Sequence, residues 1–272
     1  MLTKDEQKQV INLVYQTKEL IFHEMEHAKV TEKGAADFVT NVDLAVQEFL
    51  TRELHVLFPE IEMIAEEKEN LNLSGDKKYW ILDPIDGTTN LIYGFRISSV
   101  SLALYEQGEI VMGVVYNPFM DEMFTAAKGE GAFLNGQAIH TTEHVELQNA
   151  VISFGSCPYD KSRSKELFEM FERIYVQCAD FRRTASAALE FCYVACGRQQ
   201  GYMELNLKPW DYAAGSLILT EAGGSFGAWK EGEKPTFLEN SDVLATNGIL
   251  EQDIRELQKT LLPENHSNKP IS

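Results

Sequence analysis

The spacing of apolar residues predicts two amphipathic helices at the start of the chain. Over residues 5–28, apolar side chains recur at helical spacing along one stripe. A second series of this kind covers 43–57 and stops just before Pro59, which cannot continue a helix. The segment 30–41 between them contains Gly34 and other small residues. We therefore expect a loop or an irregular ribbon between the two helices.

Short apolar runs bounded by turn residues follow, and they predict strands rather than helices. In the first half of the chain these runs are 61–65, 79–82, 98–105, 110–116 and 122–127. After residue 150 the pattern alternates between strand and helix. The predicted strands there are 151–153, 202–204 and 243–245, and the predicted helices are 165–176, 184–196, 211–221 and a last one that ends near 262.

Consecutive strands in the first half and alternating elements in the second predict a mixed α+β fold rather than a plain doubly wound sheet. We expect two closely packed subdomains. The first is an N-terminal α+β unit over 1–150, and the second is a C-terminal α/β unit over 151–265 that completes the active site. A polar tail follows at 266–272. With 272 residues, the chain is long enough to bury a substantial core.

The charge and the cysteines exclude some partners and compartments. The chain has 42 acidic and 24 basic residues, which gives a formal net charge of −18. Such a field repels phosphate, so we expect no nucleic-acid partner and no membrane partner, and a phosphate substrate would need a cation to mediate. The four cysteines include no CxxC pair, and the first residues contain no apolar signal core. Both features favour a reducing cytoplasm.

The stretch from Asp83 to Asn90 (DPIDGTTN) is the strongest candidate for chemistry. It places two carboxylates, Asp83 and Asp86, at the end of a predicted buried strand, and Gly87 and Thr88 follow them. Carboxylates bind hard cations such as Mg²⁺, and free N–H groups at a helix start bind an oxyanion. A site with both features fits a metal-bridged phosphate. Asp-Pro and Asp-Gly pairs are also ordinary turn residues, so this stretch alone leaves both interpretations open.

Two further acidic positions extend this candidate. Glu66 directly follows the apolar run 61–65 and could join Asp83 on one metal. An exposed acidic loop is the alternative, because charged residues continue after Glu66. Asp211 is at the predicted start of a helix, where aspartate is also a good N-cap.

A competing motif in the first helix, HExxH, matches residues His23 to His27. Two histidines four apart on a helix can bind zinc, with Glu24 as a base and Glu48 or Glu53 as a third ligand. The apolar stripe of this helix, however, turns both histidines toward water. This orientation argues against a zinc peptidase.

Two long stretches carry a family resemblance: WILDPIDGTTN at 80–90, and WDYAAG at 210–215 with EAGG after it at 221–224. In these stretches the chain resembles the inositol monophosphatase family of Mg²⁺-dependent, lithium-sensitive phosphatases. Smaller matches are VTNVD at 39–43, GEGAFLNG at 129–136 and RRTASAA at 182–188. The resemblance covers nearly the whole chain.

The resemblance implies a layered αβαβα sandwich that is usually dimeric. It also implies hydrolysis of a small phosphorylated alcohol by metal-activated water. Inositol monophosphate is the first choice of substrate. The alternatives for the same site are the 2′-phosphate of NADP(H), a sugar bisphosphate and adenosine 3′,5′-bisphosphate. A non-catalytic regulatory protein is a remaining alternative, although an idle cluster of buried like charges would be costly.

The resemblance further implies two to three Mg²⁺ ions. Glu66, Asp83 and the backbone carbonyl of Ile85 would hold the first metal. Asp83, Asp86 and Asp211 would hold the second. A third, weaker site would use Glu66 and water molecules.

The remaining roles are likewise implied by the resemblance. Thr88 would orient the attacking water, with Asp43 behind it, and Gly87 and Thr88 would offer backbone N–H groups to the phosphate. The pocket for the alcohol would be lined by Asp86, Ala187, Glu204 and Asp211. The family often has a lysine in the loop over the site, and Lys33 in the loop 29–40 is the nearest match, although its spacing is one residue shorter.

Overall fold

The computed structural model describes residues 1–34, 36–70, 73–143 and 145–259, and these ranges contain seven α-helices and fourteen strands. The helices are α1 (Lys4–Met25), α2 (Asn41–Leu57), α3 (Thr88–Tyr93), α4 (Ser164–Tyr175), α5 (Ala187–Ala195), α6 (Pro209–Glu221) and α7 (Glu251–Lys259). The strands are β1 (Val30–Gly34), β2 (Asp37–Thr40), β3 (Glu62–Ala65), β4 (Lys78–Asp86), β5 (Ser99–Glu106), β6 (Glu109–Asn117), β7 (Glu122–Ala127), β8 (Ala132–Leu134), β9 (Gln137–Ile139), β10 (Val151–Phe154), β11 (Asp180–Arg182), β12 (Gly201–Leu207), β13 (Ser225–Ala228) and β14 (Ser241–Thr246).

The elements stack in five layers, αβαβα. Helices α1 and α2 cover one face of a seven-stranded sheet with the order β3-β4-β5-β6-β7-β8-β9. Helices α5 and α6 lie between the other face of that sheet and a five-stranded sheet with the order β11-β10-β12-β14-β13. Helices α4 and α7 cover the far face of the five-stranded sheet. The predicted mixed fold and layered sandwich are confirmed.

Strand β4 is buried on both faces, which explains its continuous apolar run. Tyr79 and Ile81 pack toward the middle layer of helices, whereas Trp80 and Leu82 pack toward α1 and α2. Side chains alternate along a strand, so a strand between two helical layers needs apolar residues at every position.

The helices of the middle layer approach their neighbours very closely. A Cβ built on Gly215 of α6 would lie 2.6 Å from the Cβ of Phe191 on α5. A Cβ built on Gly113 of β6 would lie 2.7 Å from the carbonyl oxygen of Ala214. Glycine at both positions therefore lets α6 lie against α5 and the sheet, and this packing fixes the start of α6 over the end of β4.

The structure differs from the sequence prediction at several short elements. The segment 30–41, expected to be a loop or an irregular ribbon, contains the antiparallel pair β1 and β2, whose register shifts between Glu32 and Gly34. The alternation rule could not find β1, because all five of its residues are exposed. The sequence pattern also missed β11 and β13, which have three and four residues.

Helix α5 begins at Ala187 instead of 184. The backbone N–H of Thr184 donates to the Glu190 carboxylate over 2.8 Å, and Ala185 has a φ of +61°. Both features hold these residues outside a helix. Helix α6 begins at Pro209, two residues before the predicted start at 211.

The proposed division near residue 150 stays a prediction. The polar tail 266–272 and the predicted helix end near 262 lie outside the described residues. None of the helices in the described ranges combines the length and apolar character needed to cross a membrane.

Candidate active site

An irregularity in β4 brings the first two carboxylates to one side of the strand. In the ladder with β5, Asp83 pairs with Ser101 and Asp86 pairs with Ser99, so three steps on β4 oppose two steps on β5. In a regular strand, residues three apart point to opposite faces. The one extra residue forms a bulge, which returns Asp86 to the side of Asp83. The strand was expected to end at Asp83-Pro84, but it continues through this bulge to Asp86.

Asp211 joins this pair from the first turn of α6. Carboxylate oxygens of Asp83, Asp86 and Asp211 all lie within 4.8 Å of one another. Lys208, not Asp211, is the N-cap of the helix, and the Asp211 Oδ2 accepts the backbone N–H of Lys208 over 2.8 Å. Asp211 therefore caps the helix from its third position and still contributes to the carboxylate cluster.

Asp86 also joins the cluster to the start of α5. Its Oδ2 accepts the hydroxyl of Ser186 over 2.6 Å and the N–H of Ala188 over 2.8 Å. Its Oδ1 accepts the N–H of Ala187 over 3.2 Å. A helix start favours a nearby negative charge, so α5 helps to hold this carboxylate in place. The structure thus brings Ala187, predicted for the alcohol pocket, next to Asp86.

Glu66 lies beside the cluster, at the end of β3. Its N–H donates to the carbonyl of Leu82 on β4 over 3.2 Å. Lys33, in the β1–β2 hairpin, brings its Nζ to 3.4 Å from Glu66 Oε1 and 2.6 Å from Glu67 Oε1. Glu66 is therefore not part of an exposed acidic loop, which was the alternative interpretation. Lys33 reaches the site although its spacing in the sequence is one residue shorter than in the family pattern.

Thr88 and Asp43 are in direct contact. The hydroxyl of Thr88 lies 2.9 Å from Asp43 Oδ1 and 3.0 Å from the carbonyl oxygen of Ile85. Asp43 is fully buried, and its other oxygen accepts the N–H of Thr40 over 2.9 Å. Thr40 is the N-cap of α2 and forms a capping box with Asp43. The T-x-x-D spacing of Thr40 and Asp43 is the sequence signal of such a capping box.

Gly87 makes the turn between β4 and α3. Its φ is +88°, and a Cβ there would lie 3.0 Å from the carbonyl oxygen of Ala185 and 3.1 Å from that of Ile97. Only glycine fits this position without a backbone shift. The N–H groups of Gly87 and Thr88 lie at the start of α3, where a helix supplies no acceptor for them.

Glu204 approaches the cluster from β12. It accepts hydrogen bonds from the Tyr202 hydroxyl and, over 3.3 Å, from the N–H of Cys157. Burial raises the pKa of Glu204, and its charge helps to raise the pKa of Asp86. Glu204 is therefore electrostatically part of the site.

The surroundings of the site's carboxylates disfavour their ionised form. Burial raises the pKa of Asp86 to about 7 and that of Glu66 to about 7. Burial, with the like charges around them, also raises the pKa values of Asp83 and Asp211. Uncompensated buried charge is costly, and a cation relieves it. Clustered carboxylate oxygens are the donors that a hard divalent cation such as Mg²⁺ prefers, so these residues fit the metal that the resemblance implies.

The HExxH residues do not form a comparable site. Helix α1 ends at Met25, so His27 follows the helix, and both His23 and His27 are exposed. Glu24 Oε2 accepts a hydrogen bond from the side chain of Asn41 over 2.7 Å. In the part of the chain that the structure describes, the group suited to a metal is Asp83, Asp86 and Asp211, and neither histidine belongs to it.

Comparisons with known proteins agree with this geometry. The chain is 42% identical to the Nus factor SuhB of Vibrio cholerae over 198 residues, which is 73% of this chain and 74% of that protein. It is 34% identical to the inositol-1-monophosphatase of Mesorhizobium japonicum over 238 residues, which is 88% and 89% of the two chains. The crystal structure of the extragenic suppressor protein suhB from Bartonella henselae matches with a TM-score of 0.84 and 32% identity, covering 94% of this chain and 98% of that one.

The fold, the carboxylate cluster and these relatives define the class of the protein: it is a phosphoric monoester hydrolase. The model of the inositol monophosphatase family matches residues 4–266. The chain therefore belongs to the inositol monophosphatase family.

Proposed function

We propose that this chain is an Mg²⁺-dependent phosphomonoesterase that hydrolyses a small phosphorylated alcohol, with inositol monophosphate as its first substrate. One observation carries the proposal: the bulge in β4 sets Asp83 and Asp86 beside Asp211. The same turn of chain begins α3, where the N–H groups of Gly87 and Thr88 have no acceptor within the helix and Gly87 provides no side-chain cap. Cation ligands and anion donors thus meet at one place, as a metal-bridged phosphate requires.

Two to three Mg²⁺ ions would be held as the resemblance implies. The first would take Glu66, Asp83 and the Ile85 carbonyl, the second Asp83, Asp86 and Asp211, and the third Glu66 and water. Bound ions would neutralise the acidic cluster and supply an activated water for attack on phosphorus. Lithium would inhibit by competing at this cluster.

Thr88 and Asp43 would orient the attacking water. Asp43 is buried and already holds Thr40, so its Oδ1 remains to accept the proton of the Thr88 hydroxyl. A hydroxyl whose proton is engaged in this way presents its lone pairs to water. The N–H groups of Gly87 and Thr88 would bind phosphate oxygens.

The alcohol part of the substrate would lie between α5 and β12. Ala187, at the start of α5, and Glu204, on β12, would line this space together with Asp86 and Asp211. A carboxylate that is accessible to an alcohol accepts its O–H groups, which supports a polyhydroxylated substrate.

The first test is phosphate release from a panel of esters: inositol 1-phosphate, NADP⁺, fructose 1,6-bisphosphate and adenosine 3′,5′-bisphosphate. Each is assayed with Mg²⁺, with Mg²⁺ and LiCl, and with EDTA. We expect turnover that EDTA abolishes and the highest kcat/KM for inositol 1-phosphate. A higher kcat/KM for another ester would replace the substrate but keep the reaction. A folded protein that binds Mg²⁺ yet releases phosphate from none of them would overturn the proposal.

A regulatory role is a second candidate, supported by the name of the Vibrio cholerae relative, a Nus factor. Such a role would require the folded protein and not its turnover. A chromosomal Asp83→Asn substitution separates the two, because it removes a proposed metal ligand and keeps the surface. If this variant still corrects the defects of a deletion strain, the regulatory role is independent of hydrolysis.

We also propose that the protein is a homodimer. Helix α4 exposes Phe168 and Tyr175, with Val176 just after it, and β11 beside it is the edge of its sheet. An exposed apolar face next to an unpaired strand edge favours association. Light scattering should give twice the chain mass, and Val176→Glu should reduce it to the monomer mass. Val56→Glu, at an equally exposed position on α2, is the control and should leave the mass unchanged.

A reducing cytoplasm is the compartment that we propose. All four cysteines are free thiols in the structure, and Cys157 and Cys192 are buried. Fusion to a fluorescent protein followed by cell fractionation tests this location.

A further inference from the structure

A turn between β10 and α4 has Tyr159 at its tip. The N–H of Asp160 donates to the carbonyl of Cys157 over 3.1 Å, which closes a four-residue turn with Pro158 and Tyr159 at its corners. Proline is favoured at the first corner because its φ is already fixed. The turn therefore presents Tyr159 from a defined backbone position.

Two contacts fasten the residues before this turn to the edge of the carboxylate site. The N–H of Cys157 donates to Glu204 Oε1 over 3.3 Å, and Arg183 Nη2 donates to the hydroxyl of Ser156 over 2.9 Å. A Cβ built on Gly155 would lie 1.7 Å from Glu204 Oε2, so the backbone passes directly against that carboxylate. The turn is thus held next to the space proposed for the alcohol.

The hydroxyl of Tyr159 lies within the field of carboxylates from three different elements. These are Asp211 on α6, Glu204 on β12 and Glu66 at the end of β3. Burial and these charges raise the pKa of Tyr159, so the hydroxyl keeps its proton and remains a donor. It donates no hydrogen bond to any residue that the structure describes, and 43% of the residue is exposed.

We propose that Tyr159 contacts the alcohol part of the substrate, with its hydroxyl donating a hydrogen bond to a hydroxyl oxygen of that alcohol. This inference rests on the proposed phosphomonoesterase function and specifies its substrate class as esters of polyhydroxylated alcohols. Tyr159 offers a donor and Glu204 an acceptor, and an alcohol hydroxyl needs both. A site built from such polar groups rejects an analogue that lacks the matching hydroxyl.

A purely structural role for the Tyr159 hydroxyl does not fit its surroundings. A hydroxyl that stabilises a fold has a protein partner, and this one has none among the described residues. Tyr159→Phe keeps the ring and removes only the donor. The free energy of unfolding in urea should therefore stay within experimental error of the wild-type value.

The test compares wild type, Tyr159→Phe and the control Tyr175→Phe, which makes the same change on the outer helix α4. Each is assayed with Mg²⁺ on inositol 1-phosphate and on p-nitrophenyl phosphate, whose leaving group has no additional hydroxyls. One neutral hydrogen bond is worth about 0.5–1.5 kcal/mol, so we expect kcat/KM for inositol 1-phosphate to fall about 2- to 13-fold in Tyr159→Phe. The loss should lie mainly in KM, and kcat/KM for p-nitrophenyl phosphate should not change. The control should behave as wild type on both esters.

The other outcomes distinguish the two proposals. An equal loss on both esters, or no loss on either, would show that Tyr159 does not read the alcohol, while the phosphatase function would stand. Wild-type turnover of p-nitrophenyl phosphate without turnover of inositol 1-phosphate would overturn the polyhydroxylated substrate. The absence of Mg²⁺-dependent release from both esters by wild type would overturn the phosphatase function itself.

Discussion

Among the residues that the structure describes, Asp83 has no charge-neutralising partner of its own. It is buried, and its Oδ1 accepts the N–H of Ile85 over 3.0 Å. The charges that act on it are those of Glu66, Asp86, Asp211 and Asp43. A carboxylate in such a place destabilises the fold when it ionises, and it becomes useful only when a cation binds. The residue is therefore better explained by a ligand than by the stability of the protein alone.

Asp83→Asn should nearly abolish turnover. The variant keeps the shape of the side chain and loses the charge that would hold both principal metals, so kcat should fall by at least about 100-fold, as when a charge-stabilising group is removed. Stability in EDTA should not decrease, because one of several mutually repelling charges is removed. Phosphate release and urea unfolding are measured on the same preparation. Near-normal release by the folded variant would contradict the metal assignment.

Thr88→Val should lower kcat with little effect on KM. The substitution removes the hydroxyl that is proposed to orient the water, and loss of such a proton-handling group lowers kcat by roughly 100-fold. Thr88→Ser restores a hydroxyl and should recover most of the activity. Thr89→Val makes the same change at the exposed neighbouring position and serves as the control. If Thr88→Val and Thr89→Val have the same kcat, Thr88 has no part in the reaction.

At the scale of elements, the site exists because three irregular element ends converge. The bulge in β4 supplies two carboxylates on one side, the start of α6 supplies the third, and the start of α5 holds Asp86. Gly87 joins this group to α3 through a left-handed backbone that only glycine adopts readily. The site is thus as rigid as the layers that fix these ends.

Gly87→Ala should destabilise the protein more than Gly94→Ala. Both glycines flank α3 with positive φ, +88° and +71°, so both substitutions introduce the same backbone strain. A Cβ at Gly87 additionally meets the carbonyl oxygens of Ala185 and Ile97, whereas a Cβ at Gly94 meets nothing within 4 Å. The strain alone costs about 1 kcal/mol, and the clash should at least double that cost for Gly87→Ala. Urea unfolding measures both, and equal losses would show that the clash relaxes freely.

The sequence predicted elements with strong patterns and missed those without one. Helix α1 was predicted from the helical spacing of its apolar residues. Strands β4, β5 and β6 were predicted from their short apolar runs. Strand β1 is exposed at all five positions and has no such signal. At the start of α5, the Thr184 N–H is bonded to the Glu190 carboxylate, and Ala185 has a left-handed backbone. Side-chain contacts and backbone turns of this kind override local helix propensity.

The candidate site divides in the same way. The acidic positions could be predicted, because the carboxylates beside Gly87 and in the first turn of α6 belong to long, specific stretches of sequence. The one-residue bulge that turns Asp86 to the side of Asp83 has no sequence signature of its own. The contact of Lys33 with Glu67 and the position of Tyr159 also have no sequence signature. Each depends on loops that are distant in sequence and are brought together by the packing of the layers.

At the scale of the whole molecule, negative charge sets the conditions of stability. The chain has a net charge of −18, and two buried carboxylates, Asp83 and Asp86, lie in one cluster with the partly buried Asp211. Self-repulsion of this kind destabilises a compact state. Binding of divalent cations at the cluster should therefore stabilise the fold as well as enable the reaction.

The stability of the metal-free protein should fall as pH rises. Burial raises the pKa of Glu66 from 4.5 to about 7 and that of Asp86 from 3.8 to about 7, so the folded state binds more protons than the unfolded state in this range. The stabilising contribution of the protonated groups is complete below about pH 4 and is lost as pH rises through 7. In EDTA, the free energy of unfolding should be about 2 kcal/mol or more lower at pH 8 than at pH 5.5.

Mg²⁺ should restore the free energy of unfolding at pH 8 and have a weak effect at pH 5.5, because protons compete for the same oxygens. NaCl at matched ionic strength controls for general screening, and Asp83→Asn should respond less to Mg²⁺ than wild type. A metal-free protein that is equally stable at both pH values would mean that these carboxylates ionise without cost, and the electrostatic reason for a cation at this site would be wrong.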